Sequence, residues 1–208
     1  MYNKKRKILR PMSSIAGFSH RPILVIVRGI PGSGKSYLTD IVKKQLGSNE
    51  TVVLDPDAID FSGKDYLDIS SSLTEQKVDN KLHPYRYLRS LAYSGIKEGK
   101  IIIWNQAFTN LDLLDRTIKN LESFAKEYKL NMPVIVVEVE IDPNEAKQRI
   151  AARQSKGGHG VSDSTFERFT SDYTSFNQYD YLVLSVDGHE DSTNKSAAMI
   201  TQKILSLK

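Results

Sequence analysis

The stretch "ILVIVRGIPGSGKSYLTDIV", residues 23–42, sets an apolar, β-branched run against a glycine-rich loop and then a segment with helical spacing. Ile23 to Arg28 is a short apolar run bounded by Pro22 and Gly29, which reads as a buried strand. From Lys35 to about Leu46, the residues Leu38, Ile41, Val42 and Leu46 fall on one helical face, and Gly47 stops the helix. Flexible residues between a strand and a helix, ended by an ammonium and a hydroxyl, suggest a site for phosphate.

The rest of the chain repeats the same alternation. "TVVLD" (51–55), "IIIW" (101–104), "PVIVVEVEI" (133–141) and "YDYLVLSV" (179–186) read as further strands. Pro84 opens a helix carrying Leu88, Leu91, Ala92 and Ile96, and Gly99 closes it. Asn110 caps a longer helix whose inner face is Leu111, Leu114, Ile118, Leu121 and Ala125. In "DPNE", Asp142 caps, Pro143 takes the first helical position and Glu145 completes a capping box. A helix near 163–176 and a final helix follow, whereas residues 58–82 read as a polar, mobile excursion with no more than one helical turn. Continuous apolar strands alternating with helices predict a parallel sheet covered on both faces. The expected architecture is therefore a three-layer α/β/α domain with a five-stranded parallel sheet over residues 21–208.

"GIPGSGKS", residues 29–36, is a complete Walker A pattern, G-x-x-x-x-G-K-[ST], in its proper place between strand and helix. Glycines let successive backbone N–H groups turn inward around phosphate oxygens, and the positive end of the next helix faces the same way. Lys35 can reach the β- and γ-phosphates, and the Ser36 hydroxyl can ligate Mg²⁺. The expected ATP-binding set is Gly29, Pro31, Gly32, Ser33, Gly34, Lys35, Ser36 and Tyr37.

Three features turn a phosphate site toward phosphoryl transfer. In "LDPDAID" (54–60), Asp55 and Asp57 follow a strand end, where the crevice of an open parallel sheet lies. A carboxylate there could orient or deprotonate a substrate hydroxyl, a role given to Asp57; the alternative is that Asp57 only caps the following helix. Asp55 is read as structural or as part of the magnesium shell with Ser36. In "AKQRIAARQSKGGHG" (146–160), Arg149 and Arg153 stand one helical turn apart. With the glycine-rich loop behind them they make a lid near 153–163 that could close over ATP, exclude water and neutralise charge; otherwise they are a solvated basic helix end. His159 reads as loop surface. Finally, "IIIWNQ" (101–106) offers Trp104, Asn105 and Gln106 where a Walker B strand ends in an acid, which counts against a motor ATPase.

The loop 29–36, the "DPD" of 55–57 and the R-x-x-x-R…GG segment of 149–158 resemble the P-loop kinases that include zeta toxins and the kinase domain of phage polynucleotide kinase. The resemblance covers about residues 23–185 and implies the P-loop nucleoside triphosphate hydrolase fold and an ATP- and Mg²⁺-dependent kinase. It implies that Asp57 is the base and that Arg149 and Arg153 match the group's lid arginines. "GKDYLD" (63–68) resembles the segment after the base in zeta-like proteins. Asp60 departs from it, standing where zeta-like members often carry Arg or Lys. "WNQAF" departs too, where related kinases end the third strand in an acid followed by Thr-Asn. Both departures fall where substrate or metal is touched.

The 208 residues are 39% hydrophobic and 26% charged, as expected of a globular domain, and contain no cysteine for disulfide or thiolate chemistry. No apolar run reaches transmembrane length and no secretory leader is visible, so a soluble, cytoplasmic protein without a membrane partner is expected. The net charge of +4 is concentrated in Lys4, Lys5, Arg6, Lys7 and Arg10; without them the remainder is nearly neutral. Residues 1–20 read as a basic, disordered arm. The leading expectation is transfer to a hydroxyl on a small molecule, a nucleotide sugar or nucleoside, with Tyr66, Tyr85, Tyr87 and Trp104 as candidates for an acceptor pocket. The alternatives are a polynucleotide 5′-hydroxyl kinase, with the arm, Lys77, Lys81, Arg86 and Arg89 tracking nucleic acid, and a non-catalytic nucleotide-binding module. A protein partner such as an antitoxin fits the resemblance.

Overall fold

The computed structural model describes residues 21–158 and 160–208; the N-terminal arm and His159 lie outside them. Five strands form one parallel sheet: β1 (Ile23–Arg28), β2 (Thr51–Leu54), β3 (Ile101–Asn105), β4 (Val134–Glu140) and β5 (Leu182–Asp187), in the order β2-β3-β1-β4-β5. All four pairings are parallel, with Ile26 opposite both Trp104 and Val136. The helices are α1 (Lys35–Leu46), α2 (Lys64–Glu75), α3 (His83–Lys97), α4 (Leu111–Glu127), α5 (Pro143–Gln154), α6 (Asp163–Asp172) and α7 (Thr193–Leu205).

Strand periodicity divides the core between the two faces. Leu24, Ile26, Ile102, Trp104, Val134 and Val136 pack with Leu88, Ala92 and Ile96 of α3 and Leu114, Ile118 and Leu121 of α4. Their neighbours Ile23, Val25, Val27, Ile101, Ile103, Ile135 and Val137 pack against Leu38 and Val42 of α1 and Ala197, Ile200 and Ile204 of α7. The expected three-layer α/β/α fold is thus the observed one. A third, small cluster of Ile30, Ala146, Ile150 and Phe166 fastens α5 and α6 beside the glycine-rich loop. No helix among the described residues is long and apolar enough to cross a membrane.

Three expectations need correction. The stretch 58–82 holds a full twelve-residue helix, α2, with no fully buried residue. Tyr66, Ile69, Ser70 and Leu73 are half-buried at helical spacing, so the stripe exists but is shallow. Tyr66 meets Phe61 and Tyr87 edge-on, with ring centroids 5.1 and 5.4 Å apart, which sets α2 against α3. The helix expected to reach residue 176 stops at Asp172, because the Phe176 N–H is drawn to the Glu138 carboxylate at 2.8 Å. β5 begins at Leu182, not 179, since Tyr179 and Tyr181 stack on Phe176 instead of entering the ladder.

Candidate active site

From β1 the chain passes to β2 and β3 on one side and to β4 and β5 on the other. A crevice therefore opens beyond the carboxyl end of β1, where sheet order switches. It is a cleft of about 1020 Å³ containing Pro31, Gly32, Gly34, Lys35, Ser36 and Tyr37 from the loop and α1. Asp55, Asp57, Asn105 and Gln106 come from the β2 and β3 side, and Arg149, Arg153 and Gly188 from the β4 and β5 side.

The loop is shaped by contact as well as sequence. Gly32 has φ +82°, and a Cβ there would lie 2.4 Å from the Ala146 carbonyl oxygen. Only glycine permits both the left-handed turn and so close an approach to α5. Gly34, φ 91°, is the N-cap of α1 and leaves that helix end without a side-chain cap. Its first N–H groups therefore face the cleft, the arrangement that binds phosphate. Ser33 is fully buried under the loop with its hydroxyl unpartnered, and neither it nor Gly29 lines the cleft.

Lys35 folds back so that Nζ donates to the Ile30 carbonyl at 2.9 Å. Burial pushes its ammonium down to about 8; Asp55 and Asp57 pull against this, and Arg153 adds to it. Lys35 thus feels the charges of all three side chains across one space. Asp55 sits at the end of β2, half-buried, with Oδ1 accepting the Asp57 N–H at 2.9 Å and Oδ2 accepting from Asn105 Nδ2 at 2.7 Å. Burial raises its pKa above the usual carboxylate range, helped by the Asp57 charge and opposed by these hydrogen bonds and by Lys35. Asp57 is exposed on a single turn of 3₁₀ helix, Pro56–Ala58; it does not cap α2, whose N-cap is Gly63.

Asn105 is the functional candidate that sequence reasoning passed over, having noted only that no acid stands there. It is 3% exposed, and the same Nδ2 that binds Asp55 donates to Ser36 Oγ at 3.0 Å. Its Oδ1 is buried without a hydrogen-bond partner. The amide nitrogen, not this carbonyl, faces the Ser36 hydroxyl and the Asp55 carboxylate, and those two oxygens, brought together at one point, are suited to a hard cation. Among the described residues no cluster of three or more His, Cys, Asp or Glu could hold a metal. Magnesium needs none, since it is usually bound by one or two carboxylates together with phosphates and water.

The two arginines expected in a lid differ. Arg149 Nη2 pairs with Glu145 Oε1 at 2.6 Å, and Nη1 donates to the Gly188 carbonyl at 2.8 Å. Arg153 is exposed one turn further on and lines the cleft. Of the four aromatic candidates only Tyr85 lines the cleft; Trp104 is buried in the core, and Tyr66 and Tyr87 pack on each other.

The sequence matches the family model described as AAA domain over residues 24–176. No curated protein matches it by sequence. A candidate kinase from Chloroflexus aurantiacus superposes with a TM-score of 0.59 at 18% identity, covering 87% of this chain and 97% of that one. A structure from the PezAT chromosomal toxin–antitoxin system of Streptococcus pneumoniae gives 0.58 at 13% identity, covering 90% and 87%. A chain of the Pnkp1/Rnl/Hen1 RNA repair complex gives 0.51 at 18% identity, covering 82% of this chain and 50% of that one. At such identities the likeness is one of fold, and the fold is that of the P-loop kinases the motifs resemble.

Proposed function

Because the chain belongs to the AAA domain family, with its phosphate loop intact, we propose that it is an ATP- and Mg²⁺-dependent phosphotransferase acting on a hydroxyl of a small molecule. The observation that carries this reading is the convergence of Lys35, Asp55, Asp57 and Arg153 on one cleft at the mouth of the Walker A loop. The loop amides and Lys35 would hold the β- and γ-phosphates, with the N-terminus of α1 behind them. Ser36 and Asp55, held together by the Asn105 amide N–H groups, would hold magnesium, which when bound neutralises phosphate charge. Asp57, exposed and facing the same space, would take the proton of the acceptor hydroxyl as its oxygen attacks the γ-phosphorus and the bond to the bridging oxygen of ADP breaks. Arg149, braced by Glu145 and Gly188, and Arg153 would stabilise the charge of the transferring group from the opposite wall.

The test is Asp57→Asn, assayed by transfer from γ-labelled ATP to a metabolite extract. The expected outcome is a loss of transfer of roughly 10²–10⁴-fold with nucleotide affinity retained. Undiminished transfer would remove Asp57 from the reaction, and nucleotide binding without transfer by the unaltered protein would make the chain a binding module.

A further inference from the structure

We infer that the acceptor enters the site carrying no phosphate of its own, so that the substrate class is the uncharged polyhydroxyl or nucleoside type, neither a nucleotide sugar nor a polynucleotide end. This rests on the phosphotransferase reading and narrows it.

The cleft has two unlike walls. Its cations are Lys35, Arg149 and Arg153, in the phosphate loop and on α5. The opposite wall, beyond β2 and β3, is made of Asp57, Tyr85, Gln106, Thr109, Asn110 and Leu113, without a single lysine or arginine among the described lining residues. Arg86 and Arg89 follow Tyr85 on α3 yet do not line the cleft. An acceptor whose hydroxyl meets Asp57 must lie on this cation-free wall, since the other side belongs to the nucleotide phosphates.

The helix ends at this wall are poor anion sites as well. α4 starts at this wall, but Asn110 already caps it by accepting the Leu113 N–H at 2.8 Å, and Asp112 occupies its first turn. α3 begins at His83 and Pro84; the first is buried and occupied with Ser70 and Val78, and the second has no N–H. A phosphate-bearing acceptor would therefore set its charge beside Asp57 and Asp55 with no fixed counter-ion among the described residues, whereas phosphate recognition rests on charge-assisted donors. What the wall does offer is amide and hydroxyl groups around apolar surface. Gln106 is held in place by the Trp104 indole N–H, which donates to its Oε1 at 3.1 Å, leaving its NH₂ as a fixed donor. Tyr85 and Leu113 are 43% and 47% exposed, large apolar surface for a sugar ring or base to cover.

The test uses the whole chain with γ-labelled ATP and three kinds of acceptor: a neutral nucleoside and sugar mixture with a metabolite extract of the expression host, a uridine diphosphate sugar, and a 5′-hydroxyl oligonucleotide. Labelled products are separated by anion exchange and weighed by mass spectrometry. The expected product contains one phosphorus atom, the labelled one, and neither of the phosphate-bearing probes is labelled. Labelling of either probe, or an extract product that keeps a phosphate after the label is removed, overturns the inference while leaving the phosphotransferase reading standing. No labelled product from any acceptor, with nucleotide still bound, overturns that reading and the inference with it.

Discussion

Replacing Arg28 with methionine tests the construction beneath the site. Arg28 is the last residue of β1 and has no exposed surface; Glu138, its register partner on β4, is 2% exposed. The two form a buried ion pair. The guanidinium also donates to the Phe108 carbonyl at 3.0 Å and the Thr174 carbonyl at 2.9 Å, and lies over the Tyr173 ring at 4.3 Å. Glu138 in turn accepts from the Ser175 hydroxyl at 2.9 Å and the Phe176 N–H at 2.8 Å. One pair thus ties the loop after β3, where Phe108 is held at φ 46°, to the segment after α6. Burial also raises the Tyr173 phenol well above its usual range, with the Arg28 charge acting against that.

Arg28→Met leaves the Glu138 carboxylate buried without its counter-charge, a loss of about 3–5 kcal/mol. For a chain of this length about 2–4 °C of Tm goes with each kcal/mol, so thermal unfolding should move down by roughly 6–20 °C. The double replacement Arg28→Met with Glu138→Leu should recover part of that, because mutual attraction in a buried pair does little more than offset desolvation, while the Phe108 and Thr174 carbonyls and the Phe176 N–H still lose their partners. Urea unfolding at an unchanged m-value provides the free energy directly. A single-variant loss below about 1 kcal/mol, the range of exposed pairs, would refute the reasoning, as would a double variant no better than the single one.

Other predictions concern the site. Asn105→Asp places a second carboxylate against Asp55, so the metal-free protein should melt lower and Mn²⁺ should restore it; a Tm indifferent to Mn²⁺ would show that this corner is not a cation site. Lys35 should govern the pH dependence of nucleotide binding. Its pKa in the free protein lies near 8, and phosphates favour the ammonium, so ATP binding should take up a proton between about pH 8 and 10 and weaken as pH rises through that window. Titration calorimetry in buffers of different ionisation enthalpy measures this, and affinity independent of pH from 7 to 10 would contradict it.

What was legible in the sequence follows from what leaves a periodic trace. Fully buried parallel strands are continuous apolar runs, and "IIIW" and "VIVVEV" announce themselves without any partner in view. The Walker A loop is legible because its chemistry is local. α2 was missed because a helix that packs on one neighbour alone buries no residue completely, and its serines dilute the stripe. Arg28 reads in sequence only as the last residue of a buried strand, since the pairing that accommodates its charge lies 110 residues away in Glu138. Asn105 looked like a missing acid. Only its contacts, made to residues brought together by β1, β2 and β3, show the amide doing a job at that position: it draws Ser36 and Asp55 to one point.

The two arginines of α5 show how far equal spacing misleads. Arg149 and Arg153 read alike in sequence, one turn apart on the same helix. In the fold, Arg149 is already engaged by Glu145 and the Gly188 carbonyl, both fixed parts of the domain, so its guanidinium is aimed before any ligand arrives. Its planar fork suits that task, as it can keep two bonds and still present N–H groups toward the loop. Arg153 is exposed, and its charge adds to the depression of the Lys35 pKa. Two cations near each other at the mouth of an anion site repel until an anion comes between them. Arg153 would therefore gain more than Arg149 when phosphate binds, because ligand charge removes that repulsion as well as supplying an attraction. Preorganisation favours Arg149 as the static clamp, and electrostatics favours Arg153 as the group whose position responds to the nucleotide.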